Sequence, residues 1–506
     1  MNARNNGCAL RILPLVLLYV ALSADLWADV RLPALFGDHM VVQRDMPIHV
    51  WGWATPGETV SVAFRGETVV AAASPDGRWE VYLEPAQAGG PHDLAIEGEN
   101  SIRLSDILVG DVWVGSGQSN MEWPLERAND AAREIAAAQY PGIRYFKVVR
   151  AAADTHQDDV EGEWRVVTPE TAGEFSGLAY FFARHLHGEL GVPFGIIQSA
   201  WGGTPAQAWT SSRALSADPA LAKFVAEFEA VGEELRPGYE VAFADWERQA
   251  EEAEAAGDEP PRRPPRPRQL NPSATPSWLF NGMIAPLTPY PIRGVIWYQG
   301  ENDANNRQAL LYRRLFRSLI EDWRHEWGQG AFPFLFVQLP NFAGGAEGSE
   351  WPELREAQAM ALGLAGTGMA VTIDIGDSTD IHPGNKQDAG LRLALAARAI
   401  AYGEQGLEFS GPMYRQTTRQ GPALRLWFDH AGSGLQARGA PLVGFELAGS
   451  DGKFVKADAS IAGSSVILTS PEVQAPVQAR YAWGDDPESN LINGAGLPAS
   501  PFRTMH

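Results

Sequence analysis

Four short stretches of the chain carry residue types that could do acyl chemistry. In Val112-Trp113-Val114-Gly115-Ser116-Gly117-Gln118-Ser119-Asn120 an apolar strand-like run breaks into a tight turn. A serine at such a break is lifted out of the strand end, and its amide lies where an oxyanion can be bound. An N-cap or turn serine uses the same residue type, so Ser119 needs company to count. In Ser199-Ala200-Trp201-Gly202-Gly203-Thr204 paired glycines let the backbone come close to a ligand and offer amides. In Trp297-Tyr298-Gln299-Gly300-Glu301-Asn302-Asp303 a side-chain amide could donate to an oxyanion, or the polar residues could cap a helix. In Asp374-Ile375-Gly376-Asp377-Ser378-Thr379-Asp380-Ile381-His382-Pro383-Gly384 a histidine lies among carboxylates. Histidine is the usual base for a serine nucleophile, and a carboxylate on its other nitrogen fixes the tautomer. Several Asp beside one His could also suggest a metal site, but one imidazole without thiolates is a thin donor set.

Each stretch follows a run that reads as a strand: 107–114, 195–198, 295–298, 334–338 and 370–375. Helical candidates at 177–190, 305–324, 353–363 and 386–402 alternate with them. That alternation predicts an α/β domain with a parallel sheet between helices. Ligands in such sheets bind beyond the carboxyl ends of the strands, so one sheet would gather the four stretches at one edge. Together they would supply nucleophile, base, orienting acid and oxyanion donors, the set that acyl transfer needs.

The flanks read differently. Residues 29–105 form short β-rich runs separated by Pro56-Gly57, Pro75-Asp76-Gly77 and Gly89-Gly90, which suggests a sandwich or jelly-roll module. Residues 406–506 read as a second β domain, and 106–405 as the catalytic domain between them. Inside it, 215–276 is an insertion: 215–256 is Ala- and Glu-rich and helical, and 259–276 is rich in Pro and Arg, an exposed or lid-like excursion.

Composition narrows the class. The chain has 506 residues, 45% hydrophobic and 20% charged, the balance of a globular protein. With 40 basic and 62 acidic residues the net charge is −22, which argues against nucleic acid or an anionic membrane surface as partner. Arg4 and Arg11, an apolar run from Ile12 to Leu22 and small residues up to Ala28 read as a signal peptide over 1–28. The run is shorter than the ~20 residues a membrane span needs. The expected location is periplasmic or secreted. Cys8, the only cysteine, lies in that segment, so the exported chain would hold no disulfide, thiol nucleophile or Cys-ligated zinc.

Gly117-Gln118-Ser119-Asn120, the Gly202 loop, Gly300-Glu301-Asn302-Asp303 and Asp380-Ile381-His382 resemble the four blocks of the SGNH hydrolase superfamily. Within it, Trp201-Gly202-Gly203-Thr204-Pro205, Asn281-Gly282-Met283-Ile284-Ala285-Pro286-Leu287, Trp297-Tyr298-Gln299-Gly300-Glu301 and Asp380-Ile381-His382-Pro383 resemble the sialate O-acetylesterase family. The resemblance spans roughly 30–405. It implies a flavodoxin-like α/β domain with β accessory regions, no metal or other cofactor, and hydrolysis of acetyl esters on sugars, 9-O-acetyl sialates first and acetylxylan or other plant polysaccharides as the alternative. It assigns Ser119 as nucleophile, His382 as base and Asp380 as triad acid, with Asp377 in reserve. The oxyanion donors would be the Ser119 amide, a Gly202 amide and the Asn302 side chain. Gln118, Trp201, Gln299 and Glu301 would contact substrate. Two positions depart from the superfamily: Gln118 replaces a common Asp, and Asp380 and His382 are separated by one residue where two are usual. A non-catalytic carbohydrate-binding protein is the rival class. A lipase is disfavoured because no long apolar lid is evident.

Overall fold

The computed structural model describes residues 29–439 and 441–504; the expected signal segment 1–28, with Cys8, lies outside them. The protein is a mixed α/β structure. Its main sheet has eleven strands, seven of which run in the order Thr367–Ala370, Phe334–Val337, Gly294–Tyr298, Ser101–Gly117, Phe194–Ala200, Tyr140–Lys147 and Trp164–Val167. All neighbours are parallel except the last pair. The strands Phe194–Ala200, Gly294–Tyr298 and Phe334–Val337 are buried at every residue, as a parallel sheet covered on both faces requires.

Two tryptophans show how both faces are covered. Trp113 is level with Gly294 in the register, so Trp297, three residues on, points to the opposite face. Trp113 meets Phe182 of helix Gly177–Leu190 edge-on at 5.0 Å, and Trp297 lies 6.3 Å from Phe316 of helix Ala309–Trp327. The first helix starts at Ser176, whose hydroxyl accepts the Ala179 N–H, and stops at Gly191 in a left-handed conformation.

The strand that carries the serine joins two parts of the molecule. Residues 101–106 alternate between exposed and half-buried and pair antiparallel with Gly89–Glu97, a pairing that runs on to Ile107 and Val109; residues 107–117 are all buried, and 108–117 pair in parallel with other strands. The change near residue 106 is thus a change from a one-sided to a two-sided sheet within one continuous strand. The N-terminal strands Val41–Gln43, Thr59–Phe64 and Glu67–Ala72 extend from this strand, and Ile48–Trp53 pairs with Arg78–Leu83. The C-terminal region forms two four-stranded antiparallel sheets and a two-stranded one.

Two expected elements differ and a third gains detail. The apolar run 370–375 leaves the sheet after Ala370, because its polar groups bind elsewhere: Thr372 Oγ1 donates to the Gln338 carbonyl and the Val371 carbonyl accepts from Arg392. The 305–324 helix is instead Glu301–Asn305 followed by Ala309–Trp327. Within 215–276, Pro219–Ala256 is one 38-residue helix and the Pro-rich stretch returns along it, held by Trp246 Nε1 donating to the Pro261 carbonyl at 2.8 Å.

Candidate active site

The turn at the end of Ser101–Gly117 is forced by close packing. Gly117 has φ +135°, and a Cβ there would lie 2.1 Å from the Tyr298 carbonyl oxygen of the adjacent strand. Gln118 N–H donates to that carbonyl and the Gly117 carbonyl accepts from Trp201 N–H, so three strand ends are stitched together. Ser119 then opens a short helix, Ser119–Glu122. As its first residue, Ser119 has no intrahelical acceptor for its amide.

His382 Nε2 lies 2.8 Å from Ser119 Oγ, although the two are 263 residues apart. The imidazole stacks on Trp123 with 4.6 Å between ring centroids and 12° between planes. Burial holds its pKa below the usual value; Asp380 pulls it up, and Lys386 and Arg127 push it down. A neutral imidazole is the form that can take a proton from serine. Asp380 is a loose partner. Its Oδ1 is 3.6 Å from His382 Nδ1, beyond hydrogen-bond length, with 55% of its side chain exposed, and the same oxygen accepts the His382 backbone N–H at 2.8 Å. Asp377 turns the other way and accepts from Thr379 and the Asp380 amide.

Gly202 is close to the serine: a Cβ on it would be 3.2 Å from Ser119 Cβ. Its N–H donates to Glu122 Oε2 at 3.0 Å, and the other oxygen of Glu122 accepts from Arg150 Nε at 2.8 Å. Arg150 also lies 5.5 Å over the half-buried Trp201 ring. Glu122 and Arg150 border a cavity of about 660 Å³, lined also by Lys147, Val149, Gln198 and Ala200. Asn302 donates from Nδ2 to the Gly203 carbonyl at 2.8 Å, and its backbone N–H donates to Gln118 Oε1 at 3.3 Å.

Three residues expected at the substrate, Gln118, Gln299 and Glu301, are buried and hydrogen-bonded to neighbouring loops. Gln299 is completely buried and donates to the Thr204 carbonyl and to Asp303, so it braces the loop. Glu301 is 1% exposed and accepts from Asn120 Nδ2 at 2.6 Å; burial raises its pKa. Gln118, 3% exposed, spends its carbonyl on the Asn302 amide. Trp201 keeps an accessible face.

Several participants escaped the sequence reading. Asn120 ties the loops together: its Nδ2 also donates to the Ile381 carbonyl at 2.9 Å, and its Oδ1 accepts from Lys386 Nζ at 2.6 Å. Burial lowers Lys386 to about 7. Asn120 adjoins the serine, and adjacency was the only available signal. Glu122, one turn on from Ser119, was equally visible by spacing, whereas nothing local marks Arg150 or Lys386.

A family described as carbohydrate esterase, sialic acid-specific acetylesterase, matches residues 278–400. The sialate O-acetylesterase of Mus musculus is 33% identical over 440 residues, covering 79% of each chain. The chain belongs to the sialate O-acetylesterase family. The Homo sapiens sialate O-acetylesterase is 32% identical, covering 79% of this esterase and 78% of its own length. The crystal structure of a carbohydrate acetylesterase from Xanthomonas citri superimposes with a TM-score of 0.82 at 41% identity, covering 94% of this chain and all of its own. The esterase is therefore a hydrolase of carbohydrate O-acetyl esters, and its substrate class is acetylated carbohydrate.

Proposed function

We propose that the esterase works through an acetyl-enzyme on Ser119. The observation that carries this is the 2.8 Å contact between Ser119 Oγ and His382 Nε2. Ser119 Oγ attacks the acetyl carbonyl while His382 Nε2 takes its proton. The C–O bond to the sugar then breaks, and His382 returns the proton to the departing sugar oxygen. Water, deprotonated by His382, attacks the acetyl-serine; the bond from the acetyl carbon to Ser119 Oγ breaks, His382 returns the proton to Oγ, and acetate leaves. Asp380 favours the imidazolium from a distance. The Ser119 amide, the Gly202 amide and the Asn302 side chain hold the oxyanion. Gly202 N–H now donates to Glu122 Oε2, so it serves the oxyanion once that carboxylate moves aside.

The strand order supports an SGNH, flavodoxin-like reading. With the extra strand Tyr140–Lys147 set aside, the parallel strands run 2-1-3-4-5, and the switch point lies between Ser101–Gly117 and Gly294–Tyr298. Ser119 and Asn302 follow those two strands. The proposal includes a β module at 29–105, a catalytic domain at 106–405, a β domain at 406–506, and export through 1–28. No helix of the described residues is long and apolar enough to cross a membrane.

For substrate we propose O-acetyl sialates, as the names of the mammalian relatives suggest, with the 9-O ester that the sequence resemblance implies taken first. The Xanthomonas relative, a carbohydrate acetylesterase by title, favours a second reading in which acetylxylan or another plant polysaccharide is the substrate. Acetate release from acetylated sialic acids and acetylated xylo-oligosaccharides, with Ser119→Ala as control, tests both. Release from sialates but not xylo-oligosaccharides is expected; the reverse overturns the sialate assignment.

A further inference from the structure

The insertion between the second and third blocks leaves the core at Asp218 and returns at Arg268. Its helix Pro219–Ala256 is almost wholly exposed, with only Leu221, Phe228 and Gly232 buried. The returning arm packs along it, with the Arg263 guanidinium 4.7 Å over Phe243 and that of Arg266 5.7 Å over Tyr239. Where the arm rejoins the core, Arg268 lies 5.8 Å over Phe228 of the helix and reaches into the site. Its Nη2 donates to Asn302 Oδ1 at 3.2 Å and to Gln308 Oε1 at 3.0 Å.

We propose that Arg268 is a positioning residue that fixes the orientation of the Asn302 amide, so that the insertion holds one wall of the oxyanion pocket. The argument is one of donors and acceptors. Asn302 Oδ1 accepts from Arg268 Nη2 and from Asn306 Nδ2, each at 3.2 Å, while Nδ2 donates to the Gly203 carbonyl at 2.8 Å. Rotating the amide by half a turn would set its NH₂ against two donors and its oxygen against the Gly203 carbonyl, losing all three bonds. The orientation that keeps them directs the amide hydrogens away from the arm and toward the loop of Gly202 and Gly203. An amide nitrogen has two hydrogens, so one remains for an oxyanion after Gly203 is served.

The placement carries a cost that packing alone does not call for. Arg268 Nε is buried without a hydrogen-bond partner, and burial depresses the pKa of the guanidinium despite the pull of Asp303. A buried, half-satisfied guanidinium destabilises a fold, and the bonds of Nη2 to Asn302 and Gln308 offset that cost only in part.

The inference rests on Asn302 being an oxyanion donor, and the test separates the two. p-Nitrophenyl acetate hydrolysis is measured for wild type, Asn302→Ala, Arg268→Ala, Arg268→Lys and the Arg268→Ala/Asn302→Ala double variant. Arg268→Ala is expected to lower kcat about ten-fold, the size of one charge-assisted hydrogen bond, with KM unchanged. In the Asn302→Ala background the same change should cost less than about two-fold, because coupled residues are not additive. Arg268→Lys, which keeps charge and one donor, should recover part of the loss and guards against misfolding of the alanine variant. An equal loss from Arg268→Ala in both backgrounds, or none in wild type while Asn302→Ala is crippled, overturns the role of Arg268 alone. An active Asn302→Ala overturns the oxyanion assignment and this inference with it.

Discussion

Replacing Asp380 by Asn should cost the esterase only about ten-fold in kcat, far less than a tightly bonded triad acid would. The separation from His382 Nδ1 is 3.6 Å, and more than half of the Asp380 side chain faces water. At that distance two unit charges interact by about 1.2 kcal/mol at an effective dielectric near 80 and about 4.6 kcal/mol near 20. Exposure puts this pair near the lower figure, and about 1.4 kcal/mol is one decade in rate. Asparagine is the informative replacement because its Oδ1 can still accept the His382 backbone N–H, now bound to Asp380 at 2.8 Å, so the loop keeps its shape. A second readout is the pH profile. Asp380 raises the pKa of His382, so its loss lowers that pKa further, and the acid limb of kcat/KM should move to lower pH. The assay is p-nitrophenyl acetate hydrolysis from pH 4 to 9. A loss of about 10⁴-fold, as when a hydrogen-bonded triad acid is replaced, or a limb that moves to higher pH, would refute the reasoning.

Three further outcomes follow from the same geometry. Asn302→Ala should lower kcat about 10²–10³-fold with little change in KM, and steady-state kinetics with p-nitrophenyl acetate will read the split. Gly117→Ala should destabilise the fold by roughly 2–6 kcal/mol in denaturant titration, since strain at φ +135° adds to a contact with the Tyr298 carbonyl. Burial holds Lys386 at about 7 against 10.5 when unfolded, so between those values the unfolded chain binds more protons. Wild-type stability should therefore climb from pH 7 toward 10 relative to Lys386→Met; a parallel pair of curves would count against that burial.

The residues proposed to carry the chemistry were legible in the sequence because their types and the preceding apolar runs are local signals, and the structure brings Ser119 and His382 within 2.8 Å. Ser119, Gly202, Asn302 and His382 all follow runs whose apolar character marks them. What the sequence hid was burial. Gln299 and Glu301 sit in a polar stretch that looks solvent-facing, yet the helix Ala309–Trp327 and the Asn120 amide enclose them. The run 370–375 is apolar because it is buried, but period alone does not separate a buried strand from a buried loop. Arg150 and Arg268 act across 28 and 34 residues, on Glu122 and Asn302, and side-chain contacts at that range leave no trace in local pattern.

The most direct measurement of the central claim is where a serine-directed organophosphonate lands. Wild-type enzyme should take up one equivalent on the peptide containing Ser119 and lose activity in proportion, while Ser119→Ala should take up none and hydrolyse no acetyl ester. Labelling of another residue, or acetate release by Ser119→Ala near the wild-type rate, would contradict the account.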